Sequence, residues 1–116
     1  MTAATLLRVT SASFSRVLEA CDRRSQLACY ADQAEVSIVS NRRGPRQHLR
    51  GKPAIGDWID RSCADKRVMR VVHSGQNGDE MTVIAEFQCH DGTFGVYSCI
   101  AQLRGGLIVK QQVVLL

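Results

Sequence analysis

Apolar and polar residues alternate with a period of two through much of the second half of the chain, from about Val68 to Leu116. Met81, Val83, Ala85, Phe87 and Cys89 fall on one face of a strand, with Thr82, Ile84, Glu86 and Gln88 on the other. In the next strand Tyr97, Cys99, Ala101 and Leu103 oppose Phe94, Val96, Ser98, Ile100 and Gln102. In the last, Leu107, Val109, Gln111, Val113 and Leu115 oppose Ile108, Lys110, Gln112, Val114 and Leu116. The turn signals Asn77-Gly78, Asp91-Gly92 and Gly105-Gly106 punctuate the pattern, and their second glycyl positions recur every 14 residues. Such pairs suit tight hairpins, because type I′ turns need φ > 0 at both central residues. The spacing leaves room for strands of roughly 10–12 residues, against a usual 5–6. The pattern predicts a four-stranded antiparallel meander of long, curved strands.

The first half follows a different period. Leu7, Phe14, Val17, Leu18 and Cys21 share one stripe, which predicts an amphipathic helix over residues 4–21. Asp22 reads as the N-cap of a second helix from Arg23 to about Ala31, ended by Asp32 and Gln33 and burying Leu27 and Tyr30. Val36 and Ile38 alternate with Glu35 and Ser37 in a strand from Ala34 to Ser40. Residues 41–52 form a basic loop or short hairpin. Pro53 suits the first turn of a third helix running to about Cys63, with Ile55, Trp58, Ile59 and Ser62 or Cys63 inward. A single sheet must be covered, and only these helices can cover it. The fold class expected is α+β, in one domain over residues 1–116.

Composition narrows the classes of function. A net charge of +4 is too small to imply nucleic acid. The basic residues Arg42, Arg43, Arg46, Arg50 and Lys52 lack interleaved aromatics, so no nucleic-acid partner is expected. No apolar run reaches the roughly 20 residues of a membrane span, so no membrane partner is expected either. Arg8 and Arg16 interrupt the apolar N-terminal residues, unlike a secretory signal. The five cysteines, Cys21, Cys29, Cys63, Cys89 and Cys99, contain no Cys-x-x-Cys pair, and read as free thiols in a reducing cytoplasm. Neither metal ligation nor any cofactor is indicated. Apolar residues on both faces of several strands suggest helices on one side and a second copy on the other, a homodimer through the sheet.

Helix, helix, strand, helix, then a long meander resembles the SnoaL-like group of the nuclear transport factor 2-like superfamily. Two stretches carry the resemblance besides the turn spacing. Leu27-Ala28-Cys29-Tyr30-Ala31-Asp32-Gln33-Ala34-Glu35-Val36 looks like the family's second helix closing on a Tyr-Ala-Asp step before its first strand. Leu49-Arg50-Gly51-Lys52-Pro53-Ala54-Ile55-Gly56-Asp57-Trp58-Ile59 is similar to its Gly-x-x-Ala-Ile helix start. The resemblance implies a cone, with a bent sheet around three helices and a pocket at the open end. Shared fold does not give shared function. Ketosteroid isomerase-like members carry a general-base carboxylate where this chain has Ile38, and an acid on the next-to-last strand where it has Cys99 and Ile100. An apolar side chain takes no proton. The last two strands contain no Asp or Glu, so the late-strand acid of the cyclases is missing as well.

Tyr30, Asp32, His73 and Glu86 remain as catalytic candidates. Tyr30 is a hydrogen-bond donor to a carbonyl, and Glu86 a base if burial raises its pKa. Tyr30, Ile38, Trp58 and Cys99 are the expected pocket lining. Three functions stay open: a binder of an unidentified small organic ligand in an apolar pocket; a cofactor-independent isomerase, cyclase or dehydratase; and a dimeric interaction module.

Overall fold

The computed structural model describes residues 8–41 and 44–116. The expected helix residues 4–7, including Leu7, and the basic residues Arg42 and Arg43 lie outside the described residues.

Helix α1 spans Ser11–Ala20 and therefore starts later than its apolar stripe suggested. Thr10 stops it from extending back: the Ser13 amide donates to Thr10 Oγ1 at 3.0 Å, and the Thr10 amide donates to Ser13 Oγ at 2.9 Å. This reciprocal capping satisfies two of the free donors at the helix start. α1 ends at Cys21, which adopts the left-handed conformation (φ 49°) usually taken by glycine. Helix α2 (Arg23–Ala28) is capped by Asp22, whose Oδ1 accepts from the Ser25 amide at 3.1 Å, as its sequence predicted. It stops before Tyr30. The Cys29 carbonyl accepts the Ile108 amide at 2.8 Å, so the sheet captures the chain and Tyr30-Ala31-Asp32-Gln33 open strand β1 (Tyr30–Ser40) instead of ending a helix.

The segment after β1 turns back as strand β2 (Gln47–Arg50), antiparallel to β1. Gly51 (φ 86°) and Pro53 then start α3 (Lys52–Asp65). Ile55, Trp58 and Ile59 are its buried face, as the sequence predicted. The meander is β3 (Lys66–Asn77), β4 (Glu80–Cys89), β5 (Phe94–Arg104) and β6 (Leu107–Leu115). Gly105 and Gly106 both have positive φ, as a type I′ turn requires. The β3–β4 turn is centred one residue later than expected, on Gly78 and Asp79, and of these only Gly78 has positive φ.

The six strands form one curved, open sheet in the order β2-β1-β6-β5-β4-β3. The meander is antiparallel, as its turns predicted, and β1 joins β6 in parallel. The helices cover the inner face, where Phe14, Leu18, Tyr30, Met81, Val83 and Ala101 are buried. The alternation in β6 is broken by a bulge: Gln102 pairs with Lys110 but Leu103 pairs with Ile108. One residue is therefore skipped, and Ile108 turns inward although strict alternation put it outward. A second bulge in β3 lies between Val71 and His73, and there Glu19 of α1 accepts the Val71 amide at 2.8 Å. That bond occupies an amide on an edge strand, which would otherwise invite pairing with another chain.

Candidate functional site

Two hollows meet between α3 and the sheet. The larger is a cleft of about 370 Å³ between α3, the end of β1, the start of β3, and the β4–β5 turn. Ile38, Trp58, Phe87 and Leu115 form its apolar lining, and Arg61, Lys66 and Asp91 lie among its polar residues. Trp58, Ser62, Lys66 and Leu115 also border a second hollow of about 20 Å³, with room for about one water, which Leu18, Ile59 and Tyr97 help to line.

The helical period explains the α3 wall, because Trp58, Arg61 and Ser62 are three and four residues apart and share a face. α3 passes into β3 without a loop, which sets Lys66 at the helix end. Lys66 Nζ donates to the Ser62 carbonyl at 3.4 Å and lies 4.6 Å from the centre of the Phe87 ring. A cation is favoured both at a helix C-terminus and over an aromatic face. The β4–β5 turn is held against this end by the His90 amide, which donates to the Asp65 carbonyl at 3.0 Å. Asp91 Oδ1 accepts the Thr93 amide at 2.9 Å.

Behind the cleft, the core contains a polar chain. The Tyr30 hydroxyl donates to Gln111 Oε1 at 2.5 Å, and Gln111 Nε2 donates to the Tyr97 hydroxyl at 3.1 Å. The Cys99 thiol lies beside Tyr97. Burial pushes both tyrosines well above the ordinary phenol range, and burial likewise raises the Cys99 thiol. No buried side-chain nitrogen or oxygen among the described residues lacks a partner. Tyr30 thus spends its proton on Gln111.

Ile38 and Trp58 line the cleft, whereas Tyr30 and Cys99 are buried behind it and border neither hollow. The catalytic candidates are not brought together. Asp32 is exposed on β1, with Lys52 Nζ 3.9 Å away. His73 is exposed on β3. Glu86 is on the outer face, where Arg70 donates to it at 2.8 Å, so it is a solvated ion-pair partner and not a buried base. Arg61, Lys66, Phe87 and Leu115 escaped the sequence reading because only tertiary packing brings three distant strands to the end of α3. Gln111 was legible in principle, as an amide within an otherwise apolar stripe.

No known protein family matches the sequence, and no curated protein matches it. Solved structures do resemble the fold. A nuclear transport factor 2-like protein of unknown function from Cytophaga hutchinsonii superposes with a TM-score of 0.70 at 18% identity, over 96% of this chain and all of that one (100%). A protein of ketosteroid isomerase-like fold from Catenulispora acidiphila, in complex with trimethylamine, gives 0.66 at 15% identity, over 88% and 81%. A protein from Silicibacter pomeroyi, described as having a cystatin-like fold, gives 0.75 at 15%, over 90% and 72%. At such identities the likeness concerns architecture and not activity. In its element order, its open curved sheet and its helical cover, this chain has the fold of the nuclear transport factor 2-like superfamily.

Proposed function

We propose that this protein binds a small organic molecule in the cleft between α3 and the sheet. The carrying observation is the cleft itself. Its volume of about 370 Å³ falls in the range of small-molecule sites, and Trp58, Phe87, Ile38 and Leu115 offer apolar surface beside polar groups that include Gln47, Arg61, Ser62 and Lys66. The complex of the Catenulispora protein with trimethylamine supports a ligand-holding role for this architecture. Binding is favoured over acid–base catalysis by the expected residues, because Tyr30, Asp32, His73 and Glu86 do not share a cavity. Trp58, the single tryptophan, is a built-in reporter on the cleft wall. The neutral dye N-phenyl-1-naphthylamine should bind saturably with energy transfer from Trp58. Ser62→Trp, which fills the cleft from α3, should abolish dye binding while the far-ultraviolet circular dichroism stays unchanged. Equal dye binding by that variant would sink the proposal.

A second reading concerns assembly. Val39, Ile100 and Val114 are exposed on the outer sheet face, with Ile84 half-buried beside them. An apolar surface on adjacent strands favours a homodimer through the sheet. That reading is compatible with ligand binding, since the cleft opens elsewhere.

A further inference from the structure

The cleft wall carries two cations that have no carboxylate partner. Among the described residues, neither Arg61 nor Lys66 has an acidic group within ion-pair distance. Lys66 is held by the Ser62 carbonyl and the Phe87 ring, and both of those leave its charge uncompensated. Asp91, on the same cleft, has Oδ1 engaged by the Thr93 amide. The unpaired cations at the cleft stand directly beside its apolar lining of Trp58, Phe87 and Leu115.

This juxtaposition has a chemical consequence. A neutral apolar ligand would cover Trp58 and Phe87 but would partly desolvate two charges and give nothing in return. A ligand with an oxyanion head would satisfy them. The Arg61 guanidinium presents a planar fork that matches a carboxylate or a phosphate, and the Lys66 ammonium adds a second charge-assisted bond. Such bonds are worth more at the edge of an apolar wall than in open water.

Resting on the cleft as the binding site, we propose that its ligand is an amphipathic organic anion. The oxyanion head is held by Arg61 and Lys66, and the apolar body lies against Trp58, Phe87 and Leu115.

The test is a titration followed by Trp58 fluorescence, with decanoate, decyl phosphate and decanol, each below its aggregation threshold. The structure predicts that decanoate or decyl phosphate binds about tenfold or more tightly than decanol, the size of one charge-assisted hydrogen bond. The tighter of the two identifies the head group. Arg61→Gln and Lys66→Gln change half-buried or exposed side chains, so both variants should fold, and each should erase most of the anion preference while decanol binding persists. High salt should weaken the anions and not decanol. If all three probes bind equally, or the variants keep the preference, the anion inference fails while the cleft remains a binding site. If none of the three changes Trp58 fluorescence, both readings fall.

Discussion

Tyr30, at the start of β1, donates its hydroxyl proton to Gln111 of β6 at 2.5 Å, across a core that excludes water from both. The amide then donates to Tyr97 of β5 at 3.1 Å. Three strands are thus tied by side chains as well as by the backbone ladder. Removing one partner of a buried pair costs more than the bond itself, because the other partner is left unsatisfied. Tyr30→Phe should therefore lower stability by about 1–3 kcal/mol. Chemical denaturation measures the loss, while decanoate binding should change little. A variant as stable as the parent would mean that Tyr30 does not hold the core.

The cleft wall depends on a glycine two strands away from α3. Gly95 pairs with Phe87 across β4 and β5, and a methyl group there would collide with the Phe87 ring and approach the Leu116 carbonyl oxygen to 2.9 Å. Gly95→Ala should cost about 1–3 kcal/mol, as overpacking does. Because Lys66 sits over that ring, the substitution should also displace the cation and weaken anion binding. A thermal melt together with a decanoate titration checks both effects.

Alkaline pH should destabilise the fold by a defined route. Burial pushes the Cys29 thiol up to about 11 from 9.0, and its Sγ donates to the Ser25 carbonyl at 3.3 Å. A raised folded pKa favours the protonated thiol in the native state. Its contribution is complete below pH 9.0 and is lost as pH rises towards 11, by up to about 1.4 kcal/mol per pH unit. Cys63, pushed up to about 12 by burial and by the Cys21 thiol beside it, extends the loss to higher pH. Cys29→Ser keeps a donor without titrating in this range, so it should flatten the decline between pH 9 and 11 in urea melts.

Assembly is testable on the outer face. Ile100 is 46% exposed on β5, opposite Gln112 of β6. A charge placed there would be buried in a sheet-to-sheet dimer and solvated in a monomer. On the proposed assembly, the parent chain should sediment as a dimer at equilibrium and Ile100→Glu as a monomer. A parent chain that sediments as a monomer at micromolar concentration would refute the dimer.

What local chemistry governs could be read along the chain. The Asp22 cap, the start of α3 near Pro53, the buried face Ile55-Trp58-Ile59 and the Gly105-Gly106 turn all follow from neighbours within a few residues. Inward and outward positions in β4 and β5 follow from the pleat, which needs no knowledge of the partner strand. The superfamily fold was legible for the same reason: element order and turn spacing survive where single motifs do not.

Tertiary structure decided the rest. Tyr30 opened a strand because its pairing with Ile108 of β6 outweighed local helix preference. Ile108 turned inward because a bulge resets the alternation, and a bulge is a property of two strands together. The cleft keeps Ile38 and Trp58 of the expected lining but has Arg61, Lys66 and Phe87 where Tyr30 and Cys99 were expected, on the same ground. A side chain's exposure to a cleft depends on what packs behind it. Gln111 closed the hydrogen bonds of Tyr30, and only three-dimensional packing left the cations of α3 and β3 facing open space beside Trp58.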